Sequence, residues 1–393
     1  DLNSLYPHLI MQYNMSPDTY IPNKFNQDIS VKKLLEGEVD ITSLTTSTVT
    51  PNGAMFTTKK QGFLPELLEE MYDERVLTKN KMLQHQKELE DTAKDNITTR
   101  KKLEYAITAE NNNQMAKKIA LNSCYGALGN QWFRYFNRDI AEGITTAGQL
   151  SIKWVEKAVN KWMNKLLETD EDYVVAIDTD SIYVTFEKLI ERMDPNNPVE
   201  FLDTVAKDRI EPMINESYEE LASYMNAYEN RMNMGREVIA DKGIWTAKKR
   251  YILNVHDSEG VRYKTPKLKM MGIETAKSST PMWCRKKLEQ GIKVVMNQSE
   301  HDVWEFITNA WNEFSKLPIE EVSFPRGVQN VTKYSNPASI YNKGTPIHVR
   351  GSLLYNNYLS KYNIDKKYPV ITNGEKVKFC YLKLPNTINE NVI

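Results

Sequence analysis

Asp178-Thr179-Asp180-Ser181 places two carboxylates two positions apart, in a short acidic turn within YVVAIDTDSIYVTF (residues 173–186). β-Branched residues alternate on both sides of that turn, which is the pattern of a β-hairpin. A tight turn can aim both carboxylates at one point, and apolar strands would hold them there. Hard oxygen ligands fixed in this way suit a divalent cation such as Mg²⁺. The same four residues also suit a solvated polar turn, because Asp and Ser are common turn formers. A third carboxylate, Asp1, opens the segment Asp1-Leu2-Asn3-Ser4-Leu5-Tyr6-Pro7. The three cysteines (Cys124, Cys284, Cys380) are far apart, no CxxC pair exists, and the five histidines form no HExxH. Any metal must therefore be held by carboxylates, which again points to a hard ion.

Basic residues form the second set. Arg75 and Lys79 are four apart and share one helix face, and Lys118, Asn122 and Tyr125 fall at i, i+4, i+7 on another. Placed on a helical hairpin, the two faces could converge on one triphosphate; taken singly, each also suits a solvated charged face. Residues 242–269 carry eight Lys or Arg (242, 248, 249, 250, 262, 264, 267, 269) against Asp257 and Glu259, or +6 in a chain whose total is −1. Tyr251 and Tyr263 interleave with them. This is the local footprint of a phosphate-tracking surface, with a solvated sheet face as the plain alternative.

Periodicity outlines the elements that must position these groups. Leu64, Leu67, Leu68, Met71 and Val76 are at helical spacing, giving a helix to about residue 90. Residues 91–99 read as a turn, and a second helix runs from about 101 to 125, stopping at Gly126 and Gly129. A long helix follows over about 141–167, then the acidic hairpin, then a helix over 199–227. Residues 235–264 alternate again around Asp257-Ser258-Glu259-Gly260, and 281–317 return to helices. The tail from 318 is irregular, with a few short strands. Before all of these, an apolar segment 1–15 is broken by Pro7, and 16–62 holds short β-like runs. The mixed order predicts an α+β fold with several lobes rather than a doubly wound sheet.

With 393 residues, the chain is long enough for about two to three domains at ~150 residues each. Its 40 % hydrophobic and 26 % charged residues are ordinary for a globular protein. No apolar run approaches the ~18 residues of a membrane span, and the first residues lack a signal-peptide pattern.

DxxSLYP (Asp1 to Pro7), followed much later by DTDS, resembles motifs A and C of the family B DNA polymerases. Between them, Lys118-Ile-Ala-Leu-Asn122-Ser123-Cys-Tyr125-Gly126 is similar to that family's motif B, KxxxNSxYG. The stretches NSCYGALGNQWFRYF (122–136), WTAKKRYILNV (245–255) and KLKMMGIETAKSSTP (267–281) resemble the replicative polymerases of tailed bacteriophages in particular. The resemblance implies a right-hand architecture: palm from 1–62 and 127–280, fingers 63–126, and a thumb 281–393 that looks truncated. It implies DNA-templated addition of dNTPs to a primer 3′-hydroxyl by a two-metal-ion mechanism.

Carried over residue by residue, Asp1 and Asp180 would bridge two Mg²⁺ ions, with Asp178 nearby and the Leu2 carbonyl as a further ligand. Arg75, Lys79 and Lys118 would grip the triphosphate, and the backbone N–H groups of Ser4 and Leu5 its outer phosphates. Asn122 and Tyr125 would floor the nascent base pair. Tyr6 would stack beneath the sugar and exclude a ribose 2′-hydroxyl. Lys248, Lys249, Arg250 and Tyr251 would hold primer–template DNA. The resemblance also implies a location in the host cytoplasm and allows a sliding clamp as partner, although Asn389–Ile393 shows no obvious clamp-binding tail.

The chain departs from the family pattern in several places. Ala176-Ile177 stand where an aromatic and a small residue are usual, and His8 follows SLYP in place of a serine. The Arg75–Lys118 interval is short, so short fingers are expected. No exonuclease motif is recognised in the chain, and a catalytic Asp1 at the first position implies more protein before it, in the same chain or a separate subunit. Two rivals remain: a catalytically silent nucleic-acid-binding module with a polymerase fold, and a two-metal nuclease.

Overall fold

Alternating apolar stretches and Asn, Gly and Pro breaks divide this chain into many elements, which gather into two compact units. The computed structural model describes Leu2 and residues 4–393, the side chains of Pro337 and Ala338 excepted. The first unit comprises Asp1–Asp241 with Asn254–Lys267, and the second Lys242–Leu253 with Leu268–Ile393. Helices and small antiparallel sheets are mixed throughout, so the α+β class holds.

The first unit starts with helix α1 (Leu5–Gln12), whose residues are all buried except Tyr6. A small sheet of β1 (Tyr20–Ile21), β2 (Ser47–Val49) and β3 (Met55–Thr57) follows, ordered β1-β3-β2, with the short helix α2 (Val31–Leu35) inserted. Asn14 ties this sheet to the next helix. Its amide donates to the carbonyls of Thr57 and Lys60, and its Oδ1 accepts from Gly62 N–H at 2.8 Å. A Cβ on Gly62 would lie 2.6 Å from that of Ser16, so only glycine fits there.

Two long helices, α3 (Phe63–Asp91) and α4 (Ile97–Leu128), form the hairpin expected from periodicity. Lys117–Glu74 at 3.0 Å and His85–Glu110 at 2.9 Å link them at successive levels, so they run antiparallel. Arg100 donates to the carbonyls of Leu89 and Thr92, which satisfies acceptors left open where α3 ends. Asn96 caps α4 by accepting from Thr99 N–H. The helix passes through Gly126 rather than stopping there. Glycine inside a helix costs only about 1 kcal/mol, and the fully buried Leu121 and Leu128 on either side anchor the final turns.

Helix α5 (Arg138–Leu167) is the spine of this unit. Ile140, Ile144, Ala147, Ser151, Val155, Val159, Met163 and Leu167 recur every three or four residues and are all buried. Burying such a stripe contributes roughly 1.5–3 kcal/mol per large aliphatic residue, and it packs into one core with α1, β2, β3 and the later α8. Strands β4 (Val174–Asp178) and β5 (Ser181–Val184) pair antiparallel as the expected hairpin. Next come α6 (Glu187–Met193), α7 (Pro198–Val205), a π-helical turn (Ala206–Ile210) and α8 (Glu211–Tyr224). The single helix expected over 199–227 is thus interrupted by that wider turn.

A three-stranded sheet follows, ordered β6 (Val238–Ala247), β7 (Arg250–Ser258), β8 (Val261–Met271). Reading 235–264 as one hairpin missed its first turn, Lys248-Lys249, where no Gly, Pro or Asn announces the reversal. Lys249 takes the left-handed conformation itself, at φ 61°.

The second unit contains α9 (Met282–Asn297), α10 (Glu300–Phe314), α11 (Ile319–Val322), β9 (Phe324–Gly327), α12 (Val331–Tyr334), α13 (Pro337–Ile340), α14 (Ile347–Lys361) and β10 (Lys376–Phe379). β9 and β10 pair antiparallel. Helix α14 lies where an irregular tail was expected. Its Val349 and Leu353 are buried with Val328 and Ile340, so tertiary packing stabilises a segment of weak periodicity. No helix among the described residues is long and apolar enough to cross a membrane.

Candidate active site

The acidic turn is built by the β4–β5 pairing. Asp178 and Ser181 are register partners, Asp180 N–H donates to the Asp178 carbonyl at 2.7 Å, and Thr179 takes φ 59°. Leu2, fully buried, runs alongside: its N–H donates to the Asp180 carbonyl at 2.8 Å, and it bridges Met234 on its other side. The segment expected to carry motif A therefore lies against the turn expected to carry motif C. Asp1 itself lies outside the described residues. Burial pushes the Asp180 carboxyl above its ordinary pKa, with Asp178 acting the same way and Lys118 opposing. A carboxylate disfavoured by desolvation and by a like neighbour gains most from a bound cation.

Ser4 sits at the start of α1 in the left-handed conformation, φ 54°. Its carbonyl is 3.1 Å from His8 Nδ1, and its hydroxyl accepts from Arg75 Nη1 at 3.0 Å. His8 is buried edge-on against Tyr72, and burial lowers its pKa to about 4, with Arg231 and Arg75 adding to the effect. Arg75 is only 6 % exposed. It makes no carboxylate ion pair among the described residues, and its buried Nε has no hydrogen-bond partner. Burial lowers the guanidinium's pKa, but an arginine stays charged in proteins. A buried cation without a counterion is costly, and an anion would relieve that cost.

These groups enclose one cavity of about 320 Å³. Its walls include Leu2, Ser4, Leu5 and Tyr6 from the first segment, Arg75 and Lys79 from α3, Lys118, Asn122 and Tyr125 from α4, and Asp180 from the acidic turn. Every residue expected to contact nucleotide lines this cavity; Asp178, expected beside the metals, is not among the lining residues. The rings of Tyr6 and Tyr125 meet at 4.7 Å between centroids. Thr179, Glu237 and Glu259 also line the cavity and were not anticipated. Glu259 had been read only as one of two acids diluting a basic segment. The Asp-Ser-Glu-Gly turn was visible in sequence, but nothing there could place it beside α3.

The chain matches the model of DNA polymerase family B over residues 1–350. The chain belongs to DNA polymerase family B. It is 33 % identical to the DNA-directed DNA polymerase of Enterobacteria phage T4 and 34 % identical to that of Escherichia phage RB69, each match covering the whole chain and 48 % of the relative. A DNA polymerase of Pyrococcus glycovorans is 31 % identical over 47 % of the chain and 19 % of its own length. This family B chain thus spans about half the length of the curated phage relatives it matches.

The four residues expected to hold DNA lie in the second unit. Lys248 and Lys249 form the β6–β7 turn, and Gly272 packs so closely on the Lys249 carbonyl that a Cβ would come within 2.3 Å of it. Arg250 pairs with Glu274 at 2.5 Å, both about 40 % exposed. Tyr251 is buried beside Trp245. The basic segment is not uniform: Lys242 is bonded to the Met296 carbonyl, and Arg262 and Lys267 are ion-paired to acids. A His301, Asp302 and Glu305 cluster on the first two turns of α10 is the sole grouping of three potential metal-binding side chains among the described residues. There Asp302 is already engaged, closing a capping box with Ser299.

Proposed function

We propose that this chain is the palm, fingers and thumb portion of a DNA-templated DNA polymerase, adding dNTPs to a primer 3′-hydroxyl by two-metal-ion nucleotidyl transfer. The observation that carries this reading is the cavity lined by buried Arg75, which has no carboxylate partner among the described residues, by Lys79 and Lys118, and by half-buried Asp180. A nuclease needs no such triphosphate grip, and a silent module needs neither set.

In this reading, Arg75 forks onto phosphate oxygens while Lys79 and Lys118 act as point charges. The N–H groups of Ser4 and Leu5 hold the outer phosphates. Tyr6 lies under the sugar, against Tyr125, and its ring blocks a 2′-hydroxyl; Asn122 and Tyr125 floor the base pair. Asp1, Asp178, Asp180 and the Leu2 carbonyl are hard oxygen donors that fit Mg²⁺, and two such ions when bound would activate the attacking oxygen and neutralise the leaving pyrophosphate. Lys248, Lys249 and Arg250 contact the backbone of primer–template duplex, giving little sequence preference; Arg250 would exchange a surface ion pair for a phosphate. Residues 1–62 and 127–280 are read as palm, 63–126 as fingers and 281–393 as thumb, with a template-reading and exonuclease part supplied before Asp1 and a sliding clamp as a further partner. A host-cytoplasmic location follows from the same reading.

Primer extension with four dNTPs and Mg²⁺ tests it. Extension without degradation supports the polymerase; shortening of the primer would favour the nuclease, and binding without either would favour the silent module.

A further inference from the structure

Glu259 is built into the first unit with more care than a solvent-facing turn residue needs. It lies at the tip between β7 and β8, in the left-handed conformation at φ 51°. Its N–H donates to the Glu237 carbonyl at 2.6 Å. The tip is organised by Asp257, which is 1 % exposed. Asp257 accepts from Gly260 N–H and from Arg262 Nε, each at 3.0 Å, and it pairs with Arg236. Arg236 is anchored in turn to Asp203 at 2.7 Å, and its N–H to Glu211 at 2.7 Å. Charge-assisted bonds of this kind fix a turn far better than a solvated loop is fixed. The side chain so held reaches α3, where Glu259 Oε1 meets Lys79 Nζ at 2.5 Å, with the two side chains 29 % and 21 % exposed.

That contact divides two spaces. On one side is the cavity shared with Asp180; on the other is a cavity of about 380 Å³ lined by Tyr72, Lys87, Lys207 and Arg236. Arg75, Lys79, Glu237 and Glu259 belong to both. Lys79 is thus a cavity-lining cation already paired with a carboxylate, whereas Arg75 and Lys118 have no such pair among the described residues.

We infer that Glu259 is a competing counterion: it holds Lys79 while the site is empty, and an incoming triphosphate must take the lysine from it. This rests on the polymerase reading of the same cavity. Exchanging a carboxylate for a phosphate oxygen is favourable for a highly charged triphosphate that also engages Arg75 and Lys118. It is less so for pyrophosphate, which has fewer contacts with which to offset the lost pair. Glu259 therefore weakens nucleotide binding modestly and pyrophosphate binding as well, favouring product release.

The test is binding of tripolyphosphate, pyrophosphate and dATP to the full chain, with primer extension run in parallel. Glu259→Gln should tighten binding of all three about two- to fivefold, the scale of one partly exposed ion pair, and strengthen pyrophosphate inhibition of extension. The gain should vanish when Lys79 is already Ala. A residue that merely supports the turn would leave affinity unchanged or weaken it. Unchanged or weaker binding in Glu259→Gln, or the same gain in a Lys79→Ala background, overturns the inference. Binding and its response to Glu259→Gln without any extension would instead count against the polymerase reading alone, while a chain that binds none of the three anions would remove both.

Discussion

The ring of Tyr6 lies 4.7 Å from that of Tyr125, tilted by 44°, at the edge of the cavity that also holds Asp180. Tyr6 comes from α1 and Tyr125 from α4, so two segments more than a hundred residues apart build one aromatic wall. If that wall sits beneath the sugar, Tyr6→Ala should raise ribonucleotide use relative to dNTPs by about ten- to a hundredfold, the scale on which a shaped pocket rejects one extra group. The ratio of kcat/KM for rNTP and dNTP is the readout. An unchanged ratio would reduce Tyr6 to packing.

Asp180→Asn removes a charge from the cavity lining and leaves the β4–β5 pairing intact. Extension should fall on the order of 10³-fold or more, because several kcal/mol of transition-state stabilisation go with the ligand. Duplex affinity should stay within about twofold, since phosphate contacts at separate positions are untouched. The same is expected of Asp1→Asn. Near-normal extension by Asp180→Asn would remove the metal assignment.

Arg75→Met separates a binding role from a structural one. Replacing a buried, unpaired cation by an apolar side chain of similar length should leave the unfolding midpoint unchanged or higher. Triphosphate affinity should drop about 10- to 100-fold, as expected for charged hydrogen bonds lost. Thermal unfolding and dNTP titration of the same variant decide it; destabilisation with unaltered affinity would reverse the assignment.

Lys249→Ala should weaken primer–template binding about equally across sequences. Losing one phosphate contact lowers the slope of log affinity against log salt by about 1. A loss confined to particular sequences would indicate base readout at the β6–β7 turn.

His8 makes stability depend on pH. Its pKa is about 4 in the folded chain against an ordinary 6.5. Between those values the unfolded chain binds more protons, so stability rises with pH there. The contribution is complete above about pH 6.5 and is lost as pH falls towards 4, up to roughly 3 kcal/mol. Urea midpoints measured from pH 4 to 7 should show this slope, and His8→Gln should flatten it. An equal slope in the variant would assign the acid sensitivity elsewhere.

The residues proposed to do chemistry were legible because their local rules are short-ranged. DTDS between β-branched runs dictates a hairpin with both carboxylates in its turn, and the helical spacing of Leu64, Leu68 and Met71 dictates α3. The long stripe of α5 was equally plain, and so was the α+β class. Less legible were features that depend on who the neighbour is. Lys248-Lys249 reverses the chain because Lys249 takes a left-handed backbone that its residue type does not announce. Helix α14 forms because its apolar residues find Val328 and Ile340, not because its periodicity is strong. Tyr251 falls among the basic residues in sequence, but it lies in a run of β7 that is buried from 251 to 255, beside Trp245.

By itself, then, the sequence determined the acidic turn, the helical hairpin and the motif set that marks family B, since each is written within a few tens of residues. Tertiary structure decided that Ser4, Arg75, Lys118 and Asp180 share one cavity, that Arg75 is buried there with no carboxylate partner among the described residues, and that Lys79 has one in Glu259. The physical reason is range. Backbone sterics and side-chain periodicity act over a few neighbours, whereas burial and charge pairing depend on residues brought together from positions as far apart as 4 and 259.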